Sequence, residues 1–315
     1  MTDATKPPRL LVLAGATATG KTALAVSLAE RLGGELVGAD SIQLYRRLDV
    51  GSAKPRPEEL RGVPHHLLDV ADLDEPFDAA RYVALADAVI ADVRARGRVP
   101  VVVGGTGLYL RALVRGLASG IPADPSIRDG LRARAAQGLE SIARMHAELA
   151  AVDPEYAAKI SPTDPIRVVR ALEVFAISGE PLSAHHRRHA AQPPRYDARF
   201  VALEVPRPAL VERIAARTRA MLAGGWVEEV RAILADGYAW DAKPLQSVGY
   251  AEVVAHARGE LPAEALEAAV VKATKGFAKR QRTWFRGEEG VTWVTPEEAA
   301  GEGFLRATRE FLAAE

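Results

Sequence analysis

Residues 15–22 read Gly-Ala-Thr-Ala-Thr-Gly-Lys-Thr, a G-x-x-x-x-G-K-[ST] spacing that directly follows an apolar run and opens a helix-like segment. Such a stretch is a phosphate cradle. Gly15 and Gly20 let the backbone amides of Ala16, Thr17, Ala18 and Thr19 turn inward on an anion, and the helix N-terminus adds its positive dipole end. Lys21 supplies a mobile charge and Thr22 a hydroxyl for Mg²⁺.

The first third of the chain alternates strand and helix signals: apolar 10–13, helical 21–32, short 35–38, helical 79–96 and apolar 99–103. This is a βαβα pattern. Near-continuous apolar strands predict a parallel sheet covered by helices, with ligands at the carboxyl ends of the strands. Asp40 and Thr106 both fall just past strand ends and are expected to flank the cradle. From about residue 121 to 192 only helical periods remain, punctuated by Pro122, Pro125, Pro154, Pro162, Pro165 and Pro181. A helical insertion is expected there. Residues 199–205 (RFVALEV) read as a strand returning to the sheet, followed by a helix over 208–223, a Gly224-Gly225 break, more helices, and an edge strand at 292–294.

The composition, with 48% hydrophobic and 26% charged residues among 315, is that of a globular protein. No apolar run approaches the roughly 20 residues of a membrane span, and the first residues lack the order of a signal peptide, so the cytoplasm is the expected compartment. Zero Cys excludes disulfides, thiolate zinc sites and Cys nucleophiles. Formal net charge is zero, yet Lys272, Lys275, Lys279, Arg280, Arg282 and Arg286 run without an acid between them, interleaved with Phe277, Trp284 and Phe285. Arg187, Arg188, Arg195 and Arg199 form a second basic stretch. Such mixtures suit a nucleic-acid backbone, or a solvated helix face that braces its neighbours.

A motor ATPase or GTPase carries a second apolar strand ending in an Asp that holds the Mg²⁺ shell, whereas here the corresponding strand ends in Gly104-Gly105-Thr106. No Asn-Lys-x-Asp guanine reader is present. Group transfer therefore remains, of a phosphoryl group or of whatever a diphosphate carries. Asp40 is the natural candidate base, although an Asp before a Ser is also a common cap. Residues 104–107 are either a turn or a site where the Thr106 hydroxyl donates to a phosphate oxygen. The paired histidines, His65-His66 and His185-His186, have no regularly spaced carboxylate and are expected to pack or to face solvent rather than bind metal.

Taken together, the cradle, Asp40-Ser41-Ile42-Gln43-Leu44-Tyr45, Gly51-Ser52-Ala53-Lys54-Pro55, Pro64-His65-His66-Leu67-Leu68-Asp69, Gly104-Gly105-Thr106-Gly107-Leu108-Tyr109, Arg170-Ala171-Leu172-Glu173, Val248-Gly249-Tyr250 and residues 278–286 resemble the tRNA dimethylallyltransferases, bacterial type. The resemblance runs through most of the chain. It implies an α/β, P-loop NTPase-like parallel sheet with helices on both faces over residues 1–120 and 196–315, and an all-helical insertion domain over 121–195 that contacts tRNA. It further implies transfer of a dimethylallyl group from dimethylallyl diphosphate to the exocyclic amine of the adenosine immediately 3′ of the anticodon. The anticodon stem-loop would be the recognised partner, Mg²⁺ near Thr22 the cofactor, and a monomer the working form.

By the same resemblance, Asp40 is the base, Thr106 a hydrogen-bond donor at the reacting end, and Arg217 a further diphosphate contact. Ser41, Ile42 and Gln43 would meet the flipped adenine or its neighbours, and Arg128, Ile166, Arg167, Val168, Val169 and Arg170 the tRNA. Two departures stand out: Ala16 replaces the family's usual Pro, and Ile166 its frequent Gln. The zinc-binding tail of eukaryotic members has no counterpart in a Cys-free sequence. Competing readings are a P-loop small-molecule kinase, which needs only a short Arg-bearing lid, a prenyltransferase of free adenine nucleotides, which has no use for a basic insertion, and a non-catalytic RNA-binding protein.

Overall fold

A computed structural model describes residues 7–118 and 124–314. β1 (Arg9–Gly15), buried along all but its first residue, runs into the cradle and α1 (Lys21–Leu32), then β2 (Gly34–Ala39), α2 (Pro57–Leu60) and a two-residue strand β3 (His65–His66). α3 (Ala79–Ala95), β4 (Val99–Gly104) and α4 (Gly107–Arg115) follow. The next stretch is helical throughout: α5 (Pro125–Ala135), α6 (Leu139–Val152), α7 (Pro154–Ala157), α8 (Pro165–Ser178) and α9 (Leu182–Ala190). Three of its prolines are helix starts rather than breaks, because Pro125, Pro154 and Pro165 each follow an Asp whose side chain caps the first turn. β5 (Asp197–Leu203) then leads through α10 (Arg207–Ala223), α11 (Trp226–Ala235), a 3₁₀ turn at Lys243–Gln246, α12 (Tyr250–Ala257), α13 (Ala263–Arg286), β6 (Thr292–Val294), α14 (Pro296–Ala300) and α15 (Glu302–Ala313).

The six strands found among the described residues form one parallel sheet in the order β3-β2-β4-β1-β5-β6. Alternation along each strand divides its side chains between two cores. Leu11, Leu13, Leu36, Val101, Val103, Val201 and Leu203 pack with α1, α14 and α15, while Leu10, Val12, Val37, Val102, Phe200 and Ala202 pack with α3, α4, α11, α12 and α13. Helices therefore cover both faces, as the near-continuous apolar strands predict. β3 is missed by that pattern: two histidines carry no apolar period, and the pairing of His65 with Leu36 and His66 with Val37 comes from the sheet edge itself. β5 begins at Asp197 and ends at Leu203, two residues before the expected 199–205.

Residues up to Arg115 and from Arg195 onward form one compact unit, and the residues between them a second. The second unit has its own core of Met145, Leu149, Val168, Val169, Val174 and Leu182. The expected boundary between residues 120 and 121 lies outside the described residues, as do the first six, where no leader pattern is expected. No helix among the described residues is long and apolar enough to cross a membrane.

Candidate active site

The cradle is built by a left-handed kink. Ala18 has φ 64° and Gly20 φ 87°, and the Thr19 hydroxyl locks the loop by donating to the Ala16 carbonyl at 2.9 Å. Ala16, where the family has Pro, is 2% exposed and sits against Val205, Leu210, Ile214 and Ala278, so packing holds the position that a ring would otherwise stiffen. The Thr17 amide does not turn inward on an anion, because it donates to Gln281 Oε1 at 2.9 Å. Gln281 Nε2 in turn donates to the Gly105 carbonyl at 2.9 Å, tying the cradle to the end of β4. The amides of Ala18, Gly20, Lys21 and Thr22 have no partner among the described residues and remain for a ligand.

One cavity at the carboxyl ends of the strands is lined by Thr17, Ala18, Lys21, Thr22, Asp40 and Arg217 among others. Asp40 is both cap and free carboxylate. Its Oδ1 accepts the Ile42 amide at 2.9 Å and the Gln43 amide at 3.3 Å, while Oδ2 has no hydrogen-bond partner among the described residues. Burial lowers Lys21 to about 8, opposed by the Asp40 charge and aided by Arg217. Burial also lowers Arg217, again with Asp40 opposing. Two cations thus face one carboxylate, and an added anion would relieve their mutual repulsion.

Thr106 is not among the residues that line the cavity. Its Oγ1 accepts the Ser41 amide at 3.0 Å and its own amide donates to the Ala39 carbonyl at 3.2 Å, which clamps the ends of β2 and β4 together. Because Oγ1 acts there as acceptor, the hydroxyl proton is not used by that bond.

Residues 49–53 form the opposite rim. Glu229, in the first turn of α11, accepts the amides of Asp49 at 2.8 Å, Val50 at 2.7 Å and Gly51 at 3.3 Å, and the Tyr250 hydroxyl at 2.7 Å. The loop so held presents the Ser52 carbonyl to Gln43 Nε2 at 3.0 Å and to Arg217 Nη2 at 3.4 Å. Gly51 is required for space: a Cβ there would stand 1.9 Å from Trp226 Nε1. Lys54 and Asp69, from two separate motifs, meet at 2.6 Å beneath this loop. Sequence reasoning did not include Gln281, Glu229 or His65 in the site. Gln281 and His65 each lay within a resemblance motif, 278–286 and 64–69, and Glu229 within none.

His65 lines the same cavity, and both its ring nitrogens are buried without a partner among the described residues, as are Trp226 Nε1 and Ser247 Oγ, which also belong to lining residues. His66 instead meets Glu35 at 2.7 Å. Glu35 is held down to about 2, chiefly by its hydrogen bonds from Arg96 and then from His66, against the cost of its burial. His186 packs edge-on to Tyr156 and is lowered by burial, and His185 bonds Ser178 at 3.2 Å.

Within the helical unit, Arg128 and Arg170 both bind Glu173, which is fully buried, at 2.9 Å each. Burial pushes the Glu173 carboxyl up, but these two partners outweigh it and hold it ionised. Val168 and Val169 turn their side chains into the core, so the accessible groups of that stretch are Ile166, 81% exposed, Arg167, and half-exposed Arg170. In α13 the basic run occupies the face opposite Leu266, Val270, Ala278, Gln281 and Phe285, which brace the core. The 187–199 stretch is internally engaged: Arg187 pairs with Glu155, Arg188 with Glu180 and Arg195 with Asp87, and Arg199 lies over the Phe304 ring.

A family model described as IPP transferase matches residues 43–288. The chain is 53% identical over 288 residues to a tRNA dimethylallyltransferase of Anaeromyxobacter dehalogenans (strain 2CP-C), covering 91% of this chain and 95% of that one. A full-length tRNA isopentenylpyrophosphate transferase of Bacillus halodurans superposes with a TM-score of 0.71 at 33% identity, over 96% of each chain. A eukaryotic dimethylallyltransferase described as acting on tRNA shares the fold, with a TM-score of 0.76 at 24% identity over 96% of this chain and 77% of that one.

Proposed function

The chain belongs to the IPP transferase family, and from that premise we propose that it transfers a dimethylallyl group from dimethylallyl diphosphate to the exocyclic amine of the adenosine 3′ of a tRNA anticodon. The observation that carries the reading is the meeting of Asp40, with an unengaged Oδ2, and the cradle residues Lys21 and Thr22 in one cavity with Arg217. That is a base beside a diphosphate site. A P-loop kinase can carry both features as well, and the family match is what favours allyl transfer over phosphoryl transfer.

The donor lays its diphosphate on the amides of Ala18, Gly20, Lys21 and Thr22, with Lys21 and Arg217 as counter-charges. The adenine leaves its stack to enter the cavity. Its N6 lone pair forms a bond to C1 of the allyl group while the C1–O bond breaks, and the diphosphate departs with that electron pair. Positive charge grows on the allylic carbon and negative charge on the leaving oxygen, which the two cations and the helix terminus stabilise more in the transition state than in the ground state. The N6 proton passes to Asp40 Oδ2, leaving a neutral secondary amine. Ile42, Val103, Ile214, Met221 and Phe277 keep water from the allylic carbon.

Mg²⁺ fits this site. Thr22 lines the cavity, its hydroxyl has no hydrogen-bond partner among the described residues, and Mg²⁺ is ordinarily held by one or two protein oxygens with substrate phosphates and waters. Among the described residues no three His, Asp or Glu side chains converge to cage a metal, so the phosphates themselves would complete its shell. When bound there it would neutralise charge on the leaving diphosphate. For the helical unit we read Arg128, Arg167 and Arg170 as its tRNA-facing cations. The reading sets the enzyme in the cytoplasm, where tRNA is, and requires no second copy of the chain.

The test supplies unmodified tRNA and Mg²⁺ with label either in the allyl group of dimethylallyl diphosphate or in the terminal phosphate of ATP. Allyl label in the tRNA is expected. Phosphate moving to a small metabolite, with no label in tRNA, would establish a kinase instead.

A further inference from the structure

His65 has no task in the reaction above. It lies on β3 opposite Leu36, whose side chain packs on the sheet face covered by α1. Residues paired across neighbouring strands share a face, so the His65 ring stands on the side where α1 begins with Lys21 and Thr22. The ring also lies against Gly38: a Cβ at that position would be 3.2 Å from His65 Nε2. Any side chain there would press on the ring. Both ring nitrogens are buried and neither has a partner among the described residues, while the residue lines the cavity shared by Lys21, Thr22, Asp40 and Arg217.

Buried polar atoms without partners are uncommon because each one forfeits its bonds to water. A ligand that enters the cavity can supply the missing bond. We infer that His65 contacts the substrate, donating a ring N–H to a non-bridging oxygen of the diphosphate. Diphosphate is chosen over adenine because the cations that draw an anion, Lys21 and Arg217, line the same cavity as the ring, and the parallel tRNA measurement tests that choice. Burial, with His66 beside it, lowers His65 to about 4, so the ring is neutral near pH 7 and carries one N–H and one bare nitrogen. A neutral donor adds a bond to the anion without adding a third charge to Lys21 and Arg217. The inference rests on the diphosphate reading of the cradle.

The experiment titrates inorganic diphosphate with Mg²⁺ into the full-length wild type, His65→Phe and His65→Gln, with tRNA affinity and thermal midpoint measured in parallel. His65→Phe keeps the ring's bulk and removes its donor; it should weaken diphosphate binding about tenfold, the size of one hydrogen bond to a charged acceptor, and leave tRNA binding unchanged. His65→Gln restores an N–H and should recover much of that loss. Undiminished diphosphate binding by folded His65→Phe overturns the inference, and so does a loss confined to tRNA. Should His65→Phe fail to fold, the wild type labelled with ¹⁵N-histidine decides, because diphosphate must then shift the His65 ring resonances, and a ring that does not respond overturns it. A wild type that binds diphosphate but transfers no allyl group would remove the proposed reaction, and the same titration would still judge His65.

Discussion

The Thr106 hydroxyl accepts the Ser41 amide at 3.0 Å, joining the end of β4 to the residue that follows Asp40. One side chain thereby sets the position of the base and keeps a proton to donate. Thr106→Val removes both functions and should lower turnover on the order of 10–100-fold, the range found for a lost donor at a developing charge. Thr106→Ser should retain most of the wild-type rate. Steady-state transfer with labelled donor checks both, and a fully active Val variant would confine Thr106 to packing.

Asp40→Asn separates cap from base. The amide keeps an Oδ1 that can accept from Ile42 and Gln43, so the fold and substrate binding should survive. Loss of the proton acceptor should cost about 10² or more in turnover. The same rate in the Asn variant would take Asp40 out of the reaction.

Glu229 touches no lining atom that reacts, yet it receives three loop amides and the Tyr250 hydroxyl. Glu229→Gln presents a single acceptor oxygen and turns its NH₂ toward donors, so the loop that supplies the Ser52 carbonyl to Arg217 should loosen. The expected result is a KM for the diphosphate donor raised about tenfold with a much smaller change in kcat, and stability lowered by about 1–3 kcal/mol. A stability loss with an unaltered KM would make Glu229 a purely structural brace.

Lys21 is cationic below about 8 in the empty site. Diphosphate binds the charged form, so above that pH binding must take up a proton, and affinity should fall as pH rises from 7 to 9. The relevant quantity is the ratio of wild-type to Lys21→Met affinity, which cancels the ionisation of diphosphate itself. That ratio should shrink across the window; a constant ratio would mean that Lys21 keeps its charge throughout.

Arg167 gives the cleanest test of tRNA contact in the helical unit. Arg128 and Arg170 together neutralise buried Glu173, so removing either takes away one of its two charge partners and mixes stability with binding. Among the described residues the Arg167 side chain pairs with Asp164 alone, at 3.5 Å. Arg167→Ala should weaken tRNA binding and reduce the slope of log affinity against log salt by about 0.7–0.9. An identical slope would put the tRNA elsewhere.

Much of this molecule follows from neighbours in sequence. α1 spans 21–32 as its period indicates, β2 and β4 each end one residue past the expected runs 35–38 and 99–103, and Asp40 falls just past a strand end, because all of these depend on residues within a turn or a pleat of one another. The cradle likewise is one contiguous loop. What its amides do was not local: Thr17 turns to Gln281, 264 positions away, and only the docking of α13 brings that amide within reach. Glu229 reaches the 49–51 loop from α11 with no signature in its own segment, and His65, although it lies in the motif 64–69, reaches the cavity from an edge strand whose two histidines carry no apolar period. In the same way Val168 and Val169, adjacent to Arg167, belong to a core that exists only once α6 and α8 pack. Spacing determined which backbone groups could meet an anion. Tertiary contact decided which remained free to do so, because a buried donor takes the partner that packing places beside it.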